Sequence, residues 1–350
     1  MSMAGWRQRI GRAAAGLLAA LAAASPAEAA DLVLDRSSGF VVTAEVNGQT
    51  LRLRVDPGAN GVIVLNPAAA ERAGLRESPV NREMARALGL GAAPRTGATG
   101  ISSLDDMPTA AATGSRIADE RDQVRPFVQL GPLLAQGRFG LGRVRIAGSS
   151  SAKVFAWFDN PVANEVDGLI SPAELPYANI TFRLADERPR ERSYALAGQY
   201  APLSGFTVPL AVRGHVVNVK LSVTEPNSIA TAAAAAVIAQ THRGGWTGEV
   251  RRHHIALDVM RPVRPLALER ALGVQGMRVS SFLVRIRDHG GDMRLPADVA
   301  TDPDEIVVTA PGQTQPVRFL LVLGRDRLAS CSSLVWQRRQ VRLVARCSAG

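Results

Sequence analysis

Leu51-Arg52-Leu53-Arg54-Val55-Asp56-Pro57-Gly58-Ala59 carries a strand-like alternation straight into an acid, a proline and a glycine. The period of two puts Leu51, Leu53 and Val55 on one face. Upstream, Phe40 to Val46 reads as a partner strand. The intervening Asn47-Gly48 accepts the positive φ angles of a tight hairpin turn. Downstream, the apolar run Val62-Ile63-Val64-Leu65 is followed by a helix over residues 67–73. Asn66 is its expected N-cap, Pro67 its first residue and Gly74 its stop. The order is hairpin, loop with an acid, strand, short helix.

Much of this pattern returns later in the chain. A shift of 166 positions lays Val46-Asn47-Gly48 over Val212-Arg213-Gly214 and Leu51 to Val55 over Val217 to Leu221. It also lays Pro67 to Ala70 over Ala233 to Ala236, with no gap over about 27 residues. A second correspondence sets Gly168-Leu169-Ile170-Ser171-Pro172-Ala173-Glu174-Leu175 against Leu321-Val322-Leu323-Gly324-Arg325-Asp326-Arg327-Leu328. A strand is expected after each, over residues 178–184 and 334–344. The polar stretch 185–192 separates the two units at the surface. Residues 89–115, rich in Gly, Ala, Ser and Thr, read as an extended loop or mobile hairpin of the kind that binds ligands.

The flanks and the composition bound the rest. Arg7, Arg9 and Arg12 precede an apolar run, Ala13 to Ala24, that ends in Ser25-Pro26-Ala27-Glu28-Ala29. This is the pattern of a secretory signal peptide over residues 1–30, too short to span a bilayer. The mature chain is expected in the periplasm or secreted, without an integral membrane segment. Residues 31–350 suffice for two lobes, since single cores stop growing at roughly 250–300 residues. The boundaries are set at 31–190 and 191–350. Cys331 and Cys347 are the only cysteines, and in an oxidising compartment they are expected to join two strands of a terminal hairpin by a disulfide. The net charge of +10 is spread over single arginines, and aromatics make up only 5%. Nucleic-acid binding would call for a clustered patch, so a solvated basic surface is the better reading.

A hairpin ending in Leu-x-Val-Asp-x-Gly-Ala, an apolar strand, an Ala-rich helix and a later apolar-apolar-Gly-x-Asp-x-Leu segment resemble the retropepsin-like and pepsin-like aspartic peptidases. The similarity covers most of both units except the stretches near 76–140 and 240–300. It implies an all-β fold with short helices: a two-lobed double barrel with a pseudo-twofold internal repeat. It also implies two carboxylates that share a proton across that axis, one activating water while the other protonates the scissile carbonyl. Asp56 matches the catalytic aspartate, Gly58 its glycine and Ala59 the alanine. Pro57 replaces the Thr or Ser whose hydroxyl would bond across the axis, and it also lacks a backbone N–H.

The second unit departs further. The 166-residue shift sets Ser222 opposite Asp56, and Thr224 and Glu225 opposite Gly58 and Ala59, so the second aspartate is gone. Leu323-Gly324-Arg325-Asp326 retains the Gly and the Arg-Asp pair that brace the sheet in this family, whereas Ile170-Ser171-Pro172-Ala173 has lost them. His253-His254 reads as surface strand, because neighbouring residues point to opposite faces. Asp105-Asp106 reads as a solvated loop. No Gly-x-Ser-x-Gly elbow is present. The expected molecule is a monomer without cofactor or metal. It is catalytically impaired and binds an extended peptide or envelope protein between its lobes; the alternative is an active aspartic endopeptidase using Asp56.

Overall fold

The computed structural model describes residues 31–78, 80–81, 112–117, 123–130, 133–201, 204–286 and 318–348. The leader 1–30, Asp105-Asp106 and most of the loop 89–115 lie outside these; within that loop, residues 112–115 open the strand Ala112–Ile117.

The hairpin forms as its turn chemistry requires. Val41–Val46 pairs antiparallel with Gln49–Val55, and Asn47 and Gly48 both have positive φ, 48° and 87°. The alternation then buries Leu51, Leu53 and Val55. Six strands close into a barrel in the order Ser149–Trp157, Ile63–Leu65, Gly168–Ile170, Gln49–Val55, Val41–Val46 and Arg138–Ile146. Closure removes the free edges that an open sheet would leave. The chain is thus all-β with short helices and the architecture of an aspartic-peptidase-like double barrel.

In the second half, Gly205–Val212 and His215–Leu221 make the matching hairpin, within a larger sheet. Its register repeats that of the barrel. Gly168–Ile170 runs parallel to Leu53–Val55, and Leu321–Leu323 runs parallel to Val219–Leu221 in the same pairing. Asp56 N–H donates to the Ile170 carbonyl at 3.1 Å, and Ser222 N–H donates to the Leu323 carbonyl at 2.9 Å. Asp56 and Ser222 therefore occupy the same place in their sheets.

Beyond the turn the gapless correspondence fails. Val64 faces Leu169 while Ile229 faces Val322, an offset of 165 rather than 166. The second turn is one residue shorter, and its helix Ala232–His242 begins after Thr231, which matches Asn66. Thr231 caps that helix through its hydroxyl, 3.4 Å from Ala234 N. Asn66 stands at the N-cap position but makes no cap bond with its side chain. It is committed elsewhere: its amide donates to the carbonyls of Ala163 and Val166 and its oxygen accepts from Val162 and Ala163 N–H, fastening the loop before Gly168.

A five-stranded sheet draws on both ends of the chain. It runs Leu32–Asp35, Asn179–Arg183, Cys331–Gln337, Arg342–Ser348, Glu191–Ala197. The single strand expected over 334–344 is in fact a hairpin, because residues 338–341 turn and Val341 has a positive φ of 48°. The core is continuous through this sheet, with Phe206 and Trp336 edge to face at 5.4 Å. Cys331 and Cys347 are joined by a disulfide across the terminal hairpin. Among the described residues no helix is long and apolar enough to cross a membrane.

The disulfide closes a separation of 16 residues. A Cys331→Ser, Cys347→Ser double variant is expected to lose about 3 kcal/mol of stability in urea titrations, from the freed unfolded chain. Equal midpoints for the two proteins would contradict that role.

Candidate functional site

Asp56 lies at the end of a core strand, and the whole turn Asp56 to Asn60 is buried. Its side chain is 0% exposed, a setting in which a carboxylate persists only if donors replace water. Four do so. Gly58 N–H donates to Oδ1 at 2.7 Å. Oδ2 accepts from the Ser222 hydroxyl at 2.8 Å, the Thr224 hydroxyl at 2.6 Å and Thr224 N–H at 3.1 Å. The three sequence candidates Asp56, Gly58 and Ser222 are thus brought together, with Thr224 as the member that sequence reading did not single out.

Gly58 is required by crowding. A Cβ there would stand 3.0 Å from the Leu221 carbonyl oxygen and 3.1 Å from Asp56 Oδ1, contacts tighter than ordinary packing allows. Gly205 presses on the same turn from the second half. Its φ is +68°, and a Cβ would meet the Ala59 carbonyl at 2.2 Å.

Pro57 carries no hydroxyl, and other groups tie its turn to the second half of the chain. Lys220, itself fully buried, reaches across with Nζ 3.0 Å from the Gly58 carbonyl and 3.4 Å from Asn60 Oδ1. Alternation along His215–Leu221 assigns Lys220 to the face opposite Val219 and Leu221, where solvent would be expected. The Asp56 turn covers that face, so a cation fits there only because carbonyl and amide oxygens meet it. Its signal in the sequence was faint: Lys153 is the sole other lysine.

The second turn is held from its far side by the closing segment. Asp326 Oδ1 accepts from Ser228 N–H at 2.8 Å and from its hydroxyl at 2.7 Å. Arg325 N–H donates to the Glu225 carbonyl at 2.8 Å. Gly324 sits so close to Asn227 that a Cβ would be 2.6 Å from its backbone. Ser222 Oγ also accepts from Glu225 N–H at 3.0 Å, which places Glu225 next to Asp56.

The two acids differ in their surroundings. Burial raises the Asp56 carboxyl above the usual carboxylate range, with its four hydrogen bonds opposing but not cancelling the rise. Glu225 is raised from the ordinary 4.5 to about 8, by burial first and the neighbouring Asp56 charge second, with Arg325 opposing. At neutral pH Glu225 is therefore protonated beside Asp56.

Other candidates stay apart from this centre. His253 and His254 lie on the strand Arg251–Ala256, with His254 Nε2 3.7 Å from Asp258. Among the described residues no group of three metal-ligating side chains exists. Trp157 is core, and Trp246 lies under the Arg264 guanidinium at 5.3 Å.

Residues 42–105 match a family model described as aspartyl protease, a span that takes in the hairpin, the Asp56 turn and the first helix. No curated protein matches the chain. With its closed barrel and paired turns, the chain is a protein of the aspartic-peptidase fold.

The raised Glu225 pKa has a stability consequence whose sign is fixed. Between its unfolded and folded values the native state holds a proton that the unfolded chain has released, so stability falls as pH rises from about 5 to 8. Glu225→Gln removes this term. In urea titrations at several pH values, the variant should gain on the parent by up to ~1.4 kcal/mol per pH unit across that window. Parallel curves would show that Glu225 titrates normally.

Proposed function

We propose that this is an exported, monomeric, duplicated aspartic-peptidase-fold protein, catalytically impaired, that holds an extended peptide or envelope protein between its lobes, 31–190 and 191–350. The observation that carries the reading is the saturated, fully enclosed Asp56 carboxylate, facing a serine where a partner aspartate would be. A carboxylate that activates water must present a lone pair to it. Oδ2 already accepts three bonds and Oδ1 is held by the turn's own N–H. Ser222 takes no share of a proton as a second carboxyl would. The equivalent registers of the two hairpins favour duplication of one unit. Export rests on the leader-like residues 1–30.

The second reading, an active endopeptidase, draws on Glu225, an acid held near Asp56 at a raised pKa. An ionised and a protonated carboxyl side by side are what acid–base hydrolysis requires.

The purified mature chain is expected to leave a denatured protein uncut across the acid range, and Asp56→Asn to lower its unfolding free energy by about 1–3 kcal/mol through stranded donors. Acid-dependent cleavage that disappears in Asp56→Asn would instead establish the endopeptidase.

A further inference from the structure

A cavity of about 360 Å³ opens between the five-stranded sheet and the long hairpin of the second half. Residues of the strands Glu191–Ala197 and Met277–Arg285 line its sides, and the disulfide of the terminal hairpin lines it too. These walls are fixed in place. Gln275 bonds the edge strand in both directions, accepting from Ala197 N–H at 2.6 Å and donating to the Ala197 carbonyl at 2.8 Å. Gly276, with a φ of +98°, lies so near Tyr194 that a Cβ would stand 2.5 Å from its ring. The volume falls within the roughly 300–1,000 Å³ of small-ligand sites, and a wall already in place spares a ligand the cost of ordering it.

Three arginines, Arg192, Arg278 and Arg327, line this one cavity, and among the described residues no acid does. Arg327 is aimed by its own partners. Its two terminal nitrogens donate to the Ser280 and Ser281 hydroxyls, both at 3.2 Å, and Nε lies 3.4 Å from Asp326 Oδ2. The nearest acids in sequence are committed. Asp326 holds Ser228 through Oδ1, and Glu191 takes the Ser332 hydroxyl at 2.6 Å and faces Arg346 Nε at 3.5 Å. Whereas Arg72 and Arg145 pair with carboxylates of the chain, Arg192 and Arg278 have no ion pair among the described residues.

Like charges gathered in one concavity raise its potential, and an anion entering it relieves their repulsion. Guanidinium forks match the paired oxygens of a phosphate. A dianion offsets two of the three charges, a carboxylate only one. The rest of the lining includes the apolar Met277, Val279 and Leu323. Inorganic phosphate would leave that surface in water, whereas a phosphate joined to a small apolar group covers it.

We propose that this cavity binds a small organic phosphate monoester, its dianion held by Arg192, Arg278 and Arg327 and its apolar body against Met277, Val279 and Leu323. The site is separate from the Asp56 turn, none of whose residues 56–60 lines it. It stands whether or not a peptide binds between the lobes.

Phenyl phosphate is the probe, titrated by calorimetry into the purified mature chain at pH 8 and low salt, beside inorganic phosphate and benzyl alcohol. Phenyl phosphate should fill one saturable site, inorganic phosphate should bind at least tenfold more weakly, and benzyl alcohol should not saturate. Arg192→Gln and Arg278→Gln, each verified as folded by circular dichroism, should each weaken phenyl phosphate at least fivefold. Arg252→Gln, which removes an exposed arginine outside the cavity, should bind as the parent does. Equal weakening by all three variants would reduce the binding to a general basic surface, and absence of saturable phenyl phosphate binding would remove the site; either result overturns the proposal. Vesicles of phosphatidylcholine and phosphatidic acid separate a free ligand from a lipid headgroup. The protein should stay behind when they float, and co-flotation lost in Arg278→Gln would assign the cavity to lipid instead.

Discussion

The structure depends on how one carboxylate survives without water. Asp56 is removed from solvent entirely, and a bare charge there would not be tolerated. Its donors come from two turns, one in each half of the chain, 166 residues apart at Asp56 and Ser222. The same bonds that satisfy the buried Asp56 carboxyl therefore hold the halves together. Losing one partner leaves the others stranded. Around this centre the chain spends its unusual residues. Gly58 and Gly205 allow the backbones to close, and Lys220 binds the turn that Pro57 left short of donors.

This arrangement separates fold from chemistry. The two turns present different side chains on one backbone frame, Asp56 in the first and Ser222 in the second. Here the first turn keeps its acid and the second keeps its brace, Gly324-Arg325-Asp326 on Ser228 and Asn227. Ser222 is well suited to the position it holds. It donates to Asp56 while accepting from Thr224 and Glu225 N–H, so the second turn is organised around a hydroxyl rather than a carboxylate. The acid that stands near Asp56, Glu225, comes from a different position in the turn.

The fold was legible where local rules act alone. Asn47-Gly48, the alternation to Val55, the helix start at Pro67 and the terminal disulfide all follow from turn chemistry, period and compartment. Asp56 and Ser222 were paired by self-comparison, and their matching backbone bonds put them in one register. What was illegible depends on groups distant in sequence. Lys220 reads as a solvent-facing lysine until the Asp56 turn is laid over it. Asn66 reads as a cap until the loop at 162–166 claims its side chain. The one-residue shortening of the second turn is invisible to alanine-rich helices, which match each other equally well at offsets of 165 and 166. That shortening alters the register just where Glu225 lies.

The central claim is that Asp56 acts as a tie between the two halves, with its energy shared between Asp56 and Ser222. A double-mutant cycle of Asp56→Asn and Ser222→Ala, followed by urea unfolding at neutral pH, measures that sharing directly. The account predicts a coupling of about 1–3 kcal/mol, each change costing less once the other has been made. Strict additivity of the two changes, in a chain that unfolds in one transition, would contradict it.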